Sequence, residues 1–312
     1  MVVLGCGALN VDYLFAADSL VADGETFCSP VGRQPGGSAA NTVFTLAKLG
    51  VPCRFAGAVG SDEDGKLVRE SLVSAGVDPS GMVIRNGHGT GRVLCFVDKQ
   101  GHRALYVCPG ANLTVTAADL QRGLSPDVSW VHCSSFAGEA AFAAQRSFTA
   151  GLAPQIRLSL APGALYAARG LQALLPMLER CTVLFLSGPE LRTLSGEPEL
   201  LSGAGVFFRE GVKTVVVTLG KEGSLVVTPS SQLHLPALSV DVVDTTGAGD
   251  AFAAGFIFGC LHNWATADAQ RFANVVASFS VENWGARAGI PSLLQAQERY
   301  EKAYGIPLPP TG

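Results

Sequence analysis

Charge is scarce in this chain. Of its 312 residues only 15% are Asp, Glu, Lys or Arg, and 22 basic residues against 26 acidic ones leave a net charge of −4. No run of Lys and Arg could follow a nucleic-acid backbone or an anionic lipid surface, so neither nucleic acid nor membrane is an expected partner. A polyphosphate ligand would have to be held by backbone N–H groups and metal ions. No apolar run approaches the ~20 residues that cross a bilayer. The opening Met1-Val2-Val3-Leu4-Gly5-Cys6-Gly7 lacks the basic start of a secretory signal and soon reaches Asp12. The eight cysteines, at 6, 28, 53, 95, 108, 133, 181 and 260, contain no C-x-x-C pair. Such wide spacing in a long chain predicts reduced thiols in a cytoplasmic protein. Histidine is as thin, with five residues far apart at 88, 102, 132, 234 and 262, and no H-E-x-x-H or Cys/His cluster suggests zinc. The G-x-x-x-x-G-K-[ST] loop and the protein-kinase H-R-D and D-F-G motifs are missing too.

What is present is an apolar, alternating chain. Apolar residues make up 48% of it, enough for a sizeable core. Short apolar strands at Val2–Cys6, Arg54–Val59, Val128–Cys133, Arg157–Leu160, Val183–Leu186 and Val215–Leu219 alternate with helical stretches such as Ser38–Leu49. That rhythm predicts an α/β fold with a mostly parallel sheet covered by helices. Ser61 followed by Asp64 reads as the cap of a further helix ending at Gly76. Two segments break the rhythm. Val11–Phe15 and Thr26–Val31 follow one another as strands, and Arg92–Val97, the turn Asp98-Lys99-Gln100-Gly101 and Arg103–Val107 form a hairpin. These four strands build either a small second sheet, placed as a lid, or edge decoration of the main sheet.

The most informative motif is Asp244-Thr245-Thr246-Gly247-Ala248-Gly249-Asp250, which runs into the small apolar stretch Ala251–Phe256. A glycine-rich turn opening a helix points unpaired N–H groups, with the positive end of the helix behind them, at a bound anion. A carboxylate at Asp250 would repel a static phosphate but suits a proton acceptor beside a phosphoryl group in transit. The plain alternative is a tight turn with Asp250 as helix N-cap. A second glycine turn, Pro35-Gly36-Gly37-Ser38-Ala39-Ala40-Asn41, also opens a helix, with Ser38 readable as its N-cap. Gly5-x-Gly7-x-x-Asn10 resembles a dinucleotide fingerprint, but Asn10 stands in place of the third glycine and a strand follows, so that reading is weak. Asn10 and Asp12 instead project from one face of an extended segment. An amide and a carboxylate side by side suit the paired hydroxyls of a sugar, or simply form a turn.

Together these residues resemble the PfkB, or ribokinase-like, family of carbohydrate and nucleoside kinases. The resemblance covers nearly the whole chain: Gly7–Asp12, the Gly-Gly-x-x-x-Asn signature at 36–41, Pro109-Gly110-Ala111-Asn112, Thr218–Gly223, and above all the Asp-Thr-x-Gly-Ala-Gly-Asp signature at 244–250. It implies a single domain over 1–312 with the three-layer α/β/α ribokinase-like fold, and a small β-sheet lid from excursions at about 11–34 and 89–108. The implied activity is ATP-dependent phosphorylation of a hydroxymethyl group. On this resemblance Asp250 is the catalytic base, and the N–H groups of Gly247, Ala248 and Gly249 stabilise the transferring phosphoryl oxygens. Asn10, Asp12, Gly37 and Asn41 contact the acceptor. Thr218, Gly220, Gly223 and Asn274 lie on the nucleotide side. Glu190 orders magnesium, and Asp244 and Thr246, with the backbone near Gly285, match the potassium site of those members that need one, though Asp244 could equally cap a turn.

Two departures from the family pattern stand out. The usual Asn-x-x-Glu motif is here Ser187-Gly188-Pro189-Glu190, with Ser187 left to hold a water, and Ala161 replaces the aspartate of a frequent Asp-Pro dipeptide. These departures motivate one rival, a ligand-binding member that has lost its chemistry. The other rival is a nucleoside acceptor in place of a sugar, suggested by Pro162-Gly163 and by Val281-Glu282 ahead of Gly285. Phe15, Phe27, Phe96 and Tyr106 either stack on a base or pack between lid strands. An apolar lid face predicts a homodimer that buries it.

Overall fold

A computed structural model describes residues 1–100 and 102–311, with the side chain of Arg103 also left aside. Gly101, the last residue of the expected hairpin turn, lies outside the described residues.

The first part of the chain forms β1 (Val2–Cys6), β2 (Asn10–Ala17), β3 (Cys28–Gly36), α1 (Ser38–Lys48), β4 (Cys53–Gly60), α2 (Glu63–Ser74), β5 (Met82–Arg85), β6 (Gly91–Val97) and β7 (Arg103–Cys108). Then come α3 (Ala117–Gln121), β8 (Val128–Ser134), α4 (Glu139–Ala150), β9 (Arg157–Ala161), α5 (Gly163–Ala167), α6 (Leu171–Leu178), β10 (Cys181–Ser187), α7 (Gly188–Ser195) and α8 (Leu200–Arg209). The last stretch holds β11 (Thr214–Thr218), β12 (Ser224–Thr228), β13 (Ser231–Leu235), α9 (Ala248–Leu261), α10 (Thr266–Val281) and α11 (Leu293–Tyr304).

Each of the six strands expected from apolar runs forms, with its ends moved by at most two residues. They belong to a nine-stranded sheet in the order β13-β12-β11-β10-β9-β8-β1-β4-β5. The sheet is parallel except at one edge, where β12 runs antiparallel to both β11 and β13. Side chains alternate between two cores, as the period of a strand requires. Val3, Phe55, Val183 and Phe185 meet α1, α9, α10 and α11 on one face. Leu4, Cys6, Ala56 and Leu184 meet α4, α6, α7 and α8 on the other. Three layers result. No helix among the described residues is long and apolar enough to cross a membrane.

The four strands outside the βα rhythm form a separate sheet, β3-β2-β6-β7, so the edge-decoration alternative is excluded. Its base is tied to α2 by one buried carboxylate. Asp64 accepts from Tyr13 Oη on β2 at 2.8 and 2.9 Å, from Arg33 on β3 at 3.0 Å and from Arg92 Nε on β6 at 2.7 Å. The expected cap of α2 is corrected by one position. Asp62, not Ser61, is the N-cap and accepts from the Gly65 N–H, while Asp64 is turned inward to the small sheet.

The aromatic alternatives resolve through strand parity. Phe15 and Phe96 stack at 4.9 Å, and Tyr106 meets Phe96 edge-on at 6.0 Å. Along β2, Phe15 has opposite parity to Asn10 and Asp12, so this cluster packs on the face away from them and offers no platform for a base held there. Phe27 precedes β3 and is 85% exposed.

Candidate active site

Strand β1 lies between β8 and β4, and the chain runs outward from it in both directions. In open α/β sheets, ligands bind beyond the carboxyl ends of the strands at such a reversal. Here Gly7 follows β1, and a Cβ on it would come within 2.4 Å of Ser134 Oγ at the end of β8. That hydroxyl accepts the N–H of Ala39 at 2.9 Å, fixing the start of α1 over the same point.

Helix α9 starts beside it. Its N-cap is Gly247, at φ 78°, where a Cβ would press 2.4 Å from Ala286 Cβ. The N-cap reading of Asp250 is therefore overturned. Asp250 is the third residue of the helix, and its carboxylate is turned to α1. Ser38 Oγ donates to Oδ1 at 2.6 Å and Asn41 Nδ2 donates to Oδ2 at 2.9 Å. The Ser38 cap reading falls for the same reason. Gly37, at φ 98°, caps α1, and any Cβ there would sit 2.2 Å from the Ala8 carbonyl oxygen. Two glycine-capped helices thus pack together with their first turns adjacent, and one carboxylate is clamped between them.

Burial pushes the Asp250 carboxyl up to about 6; the hydrogen bonds from Ser38 and Asn41 and the charge of Arg287 oppose the rise, and Glu190 adds to it. Asp12 is likewise raised to about 6 by burial, against Arg287 and with Asp250. Both carboxyls titrate just below neutrality, where a proton acceptor works well. Beside them the helix offers its first-turn donors. The Ala248 N–H makes a 3.3 Å turn contact with Thr245 O. A Cβ built on Gly249 would meet nothing within 4 Å, so this turn faces open space.

The residues expected on the acceptor side gather at the base of the small sheet. Asn112 donates to Asn10 Oδ1 at 3.0 Å and to Leu9 O at 3.0 Å, while its own Oδ1 takes the Leu9 N–H at 2.9 Å. Asn10 therefore turns its carbonyl to Asn112 and keeps its amide nitrogen as the other edge. Gly91 makes this possible, since a Cβ there would lie 2.2 Å from both side chains. Alongside is a cavity of about 100 Å³, lined among others by Asn10, Gly37, Ser38, Asn112, Ser134 and Ser135, with no charged residue in its wall among the described residues.

Comparison with known proteins gives the family of the whole chain. The model of the pfkB family carbohydrate kinases matches residues 3–293. The chain belongs to the PfkB family. It is an ATP-dependent phosphotransferase of the ribokinase kind. Among its relatives is an ATP-dependent ribose-1-phosphate kinase of Halopiger xanaduensis, 34% identical over 287 residues, covering 92% of this chain and 94% of the relative. A nucleoside kinase of Methanothermobacter thermautotrophicus is 28% identical over 312 residues, covering 98% of both. The solved ribokinase of Thermotoga maritima superposes with a TM-score of 0.80 at 26% identity, covering 96% of this chain and 99% of that one.

In this PfkB member the expected nucleotide-side residues lie along the ends of β10 to β12 and α10. Ser187 and Glu190 form a capping box. The serine hydroxyl accepts the Glu190 N–H at 3.4 Å, and Glu190 Oε2 accepts the Ser187 N–H at 2.9 Å. Ser187 is thus spent partly on its helix, while Glu190 keeps its second oxygen and still acts electrostatically on Asp250. Thr218 ends β11, where its hydroxyl contacts Leu186 O at 3.4 Å; Leu219, expected in the strand, instead starts a turn closed by Gly223. Gly220 (φ 60°) faces open space, whereas a Cβ on Gly223 (φ 93°) would strike Leu235 O at 2.0 Å. Asn274 is buried with both ends of its amide used, donating to Pro236 O at 3.1 Å and contacting Ser224 Oγ at 3.5 Å. Asp244 shapes a turn: Oδ1 accepts from Thr246 N and Oγ1 at 2.9 and 2.8 Å, and Oδ2 takes the Gly285 N–H at 2.9 Å.

Arg287 escaped the sequence reading, and Asn112 was named there without a role. The Pro-Gly-Ala-Asn segment drew attention to Asn112, but nothing in it says that the amide locks Asn10. Arg287 stands alone among small residues in Gly285-Ala286-Arg287-Ala288-Gly289. A lone cation in a loop carries no spacing signal, although a charge in so apolar a context was a cue.

Proposed function

We propose that this chain phosphorylates a hydroxymethyl group of a neutral sugar, with Asp250 as the base. The observation that carries this reading is the clamped Asp250 carboxylate, set at the mouth of α9 between Ser38 and Asn41 and coupled electrostatically to Asp12. Asp12 and the outward edge of the Asn10 amide supply an acceptor and a donor for neighbouring hydroxyls. Ionised Asp250 takes the proton of the attacking hydroxyl as its oxygen bonds to the γ-phosphorus and the bond to the β-phosphate oxygen breaks, leaving sugar phosphate and ADP. The turn at Gly247, Ala248 and Gly249 meets the negative charge on the transferring group, a role worth about 3 kcal/mol of barrier for each donor.

Glu190 fits magnesium. Its unshared carboxylate oxygen is a hard ligand next to the route of the phosphates, and the ion would neutralise their charge when bound. Asp244, Thr246 and the Gly285 backbone would hold a potassium ion. Thr218, Gly220 and Gly223 border the nucleotide, with Asn274 setting the wall behind it. The chain acts as one domain whose small sheet closes over the acceptor as a lid. Exposed Phe27, Val31, Leu105 and Tyr106 on that lid support pairing in a homodimer, which light scattering would detect. Cysteines that form no disulfide among the described residues suit a reducing cytoplasm.

Among the described residues, the uncharged cavity wall and the lack of an aromatic platform on the Asn10 face favour a neutral sugar over a nucleoside. An ADP-release assay over D-ribose, D-fructose, ribose 1-phosphate, inosine and adenosine tests this. Turnover confined to the free sugars supports the reading. Preference for ribose 1-phosphate or for a nucleoside replaces the acceptor, and tight binding without turnover removes the enzyme role.

A further inference from the structure

Arg287 reaches back from the loop between α10 and α11 to the first third of the chain. Its Nε donates to Asn41 Oδ1 at 2.9 Å, one terminal nitrogen donates to Ser71 Oγ at 2.9 Å, and the other donates to Gly36 O at 3.1 Å. Its guanidinium carbon stands 5.3 Å from the centre of the Phe44 ring. Three directed bonds and a ring face hold the group in one orientation.

Arginine can only donate, so the edge of Asn41 that meets it is the carbonyl oxygen. The other edge is then the –NH₂, and this is what donates to Asp250 Oδ2 at 2.9 Å. Exchange of the two edges would place a carbonyl against a carboxylate and an amine against a cation. Arg287 therefore acts on Asp250 through Asn41 without touching it. It also balances charge. Asp250 on α9 raises Asp12 on β2, Glu190 on α7 raises Asp250, and Arg287 is the cation acting on both aspartates. Two carboxylates drawn into one dry site would otherwise share a proton.

We infer that Arg287 is a positioning residue that holds the Asn41 amide with its donor toward Asp250 and lets Asp12 and Asp250 stay ionised together. This rests on Asp250 being the base. The competing account is that Arg287 only docks its loop on α1 and α2.

The test compares Arg287→Gln, Arg287→Lys, Asn41→Ala and the Arg287→Gln/Asn41→Ala double variant, with the best acceptor of the panel above. Arg287→Gln should lower kcat about 10- to 100-fold, the range for a lost charge-assisted bond, and move the acid limb of kcat/KM to higher pH. Arg287→Lys keeps the charge without the fork, so it should leave the limb in place and recover only part of the rate. In the Asn41→Ala background, Arg287→Gln should add less than about threefold to the loss of plateau kcat, because the two act in series. Fully additive losses with an unmoved limb would leave Arg287 as loop scaffold. If thermal melts show that Arg287→Gln does not fold, Arg287→Lys decides: full rate overturns the inference, and a reduced rate with an unmoved limb supports it. An Asp250→Asn variant of near-normal rate would instead remove the base reading itself.

Discussion

Ser38 Oγ lies 2.6 Å from Oδ1 of Asp250, although 212 positions separate the two residues. The first glycine turn therefore supplies donors to the carboxylate of the second, and each turn is incomplete alone. With Asn41 on the other oxygen, each oxygen of the Asp250 carboxylate accepts one hydrogen bond from α1.

Asp250→Asn keeps the shape and can keep the bond from Asn41, with the Ser38 hydroxyl turned to accept from its amide, but it cannot take a proton. Its kcat should fall by about 10³-fold or more, at the upper end of what general-base removal costs, while acceptor affinity changes little. Steady-state kinetics together with calorimetric titration of the acceptor separate the two effects. A near-normal kcat would take Asp250 out of the base role.

The pH profile should show the same pair of carboxyls. Asp12 and Asp250 both sit near 6 and both are needed ionised, so kcat/KM should be flat above about pH 7 and fall below about pH 6. Well below that point the slope should approach two, about 100-fold per pH unit. A single-proton limb, or one near 4, would contradict the raised pair.

Stability should run the other way. A carboxyl raised from 3.8 to about 6 on folding stabilises the fold fully below about pH 4, and that contribution is lost as pH rises through about 6. At about 1.4 kcal/mol per unit, ionised Asp250 costs roughly 3 kcal/mol at pH 8. Asp250→Asn should thus melt above the parent at pH 8, with the gap closing toward pH 4. Thermal melts at the two pH values check the sign.

Ser187→Asn should be tolerated, because asparagine caps a helix as well as serine does, and it restores the amide seen in the family motif. Half-saturating magnesium in the kinase assay should drop severalfold without change in melting temperature. An unchanged magnesium dependence would show that Glu190 needs no such helper.

Asp64→Asn should loosen the base of the small sheet. Arg33 and Arg92, about half exposed (48% and 47%), can turn to water, so the loss should stay near 1–3 kcal/mol. Acceptor KM should rise more than kcat falls, since the sheet carries Asn10 and Asp12. The reverse pattern would divorce this anchor from acceptor binding.

The parts of this structure that follow local rules were legible from sequence. The six core strands announce themselves because each is buried on both faces and so reads as a continuous apolar run. The four excursion strands showed as a break in rhythm, but that they pair with each other was a tertiary fact. Caps were the weak point. Asp62, Gly37 and Gly247 take the cap positions that Ser61, Ser38 and Asp250 suit by propensity, because those neighbours have other work or other space. Asp250 is pulled to α1 and Ser38 to Asp250, and neither pull has a sequence period. Arg287 was illegible for the same reason: its meaning lies in Asn41, 246 positions away.

The two sides of the cleft are encoded apart. Asn10, Asp12, Gly37 and Asn41 come from the first 41 residues, whereas Ser187, Glu190, Thr218 and the α9 turn come from the last 130 or so. On the proposed roles, an exchanged acceptor half would have to extend past Gly91 and Asn112, which set Asn10, while the α9 turn stays with the rest of the chain. The constraint on such a graft is Arg287, which sits with the inherited half and holds onto the exchanged one. A transplanted acceptor half will work only if it brings an asparagine for that arginine to hold.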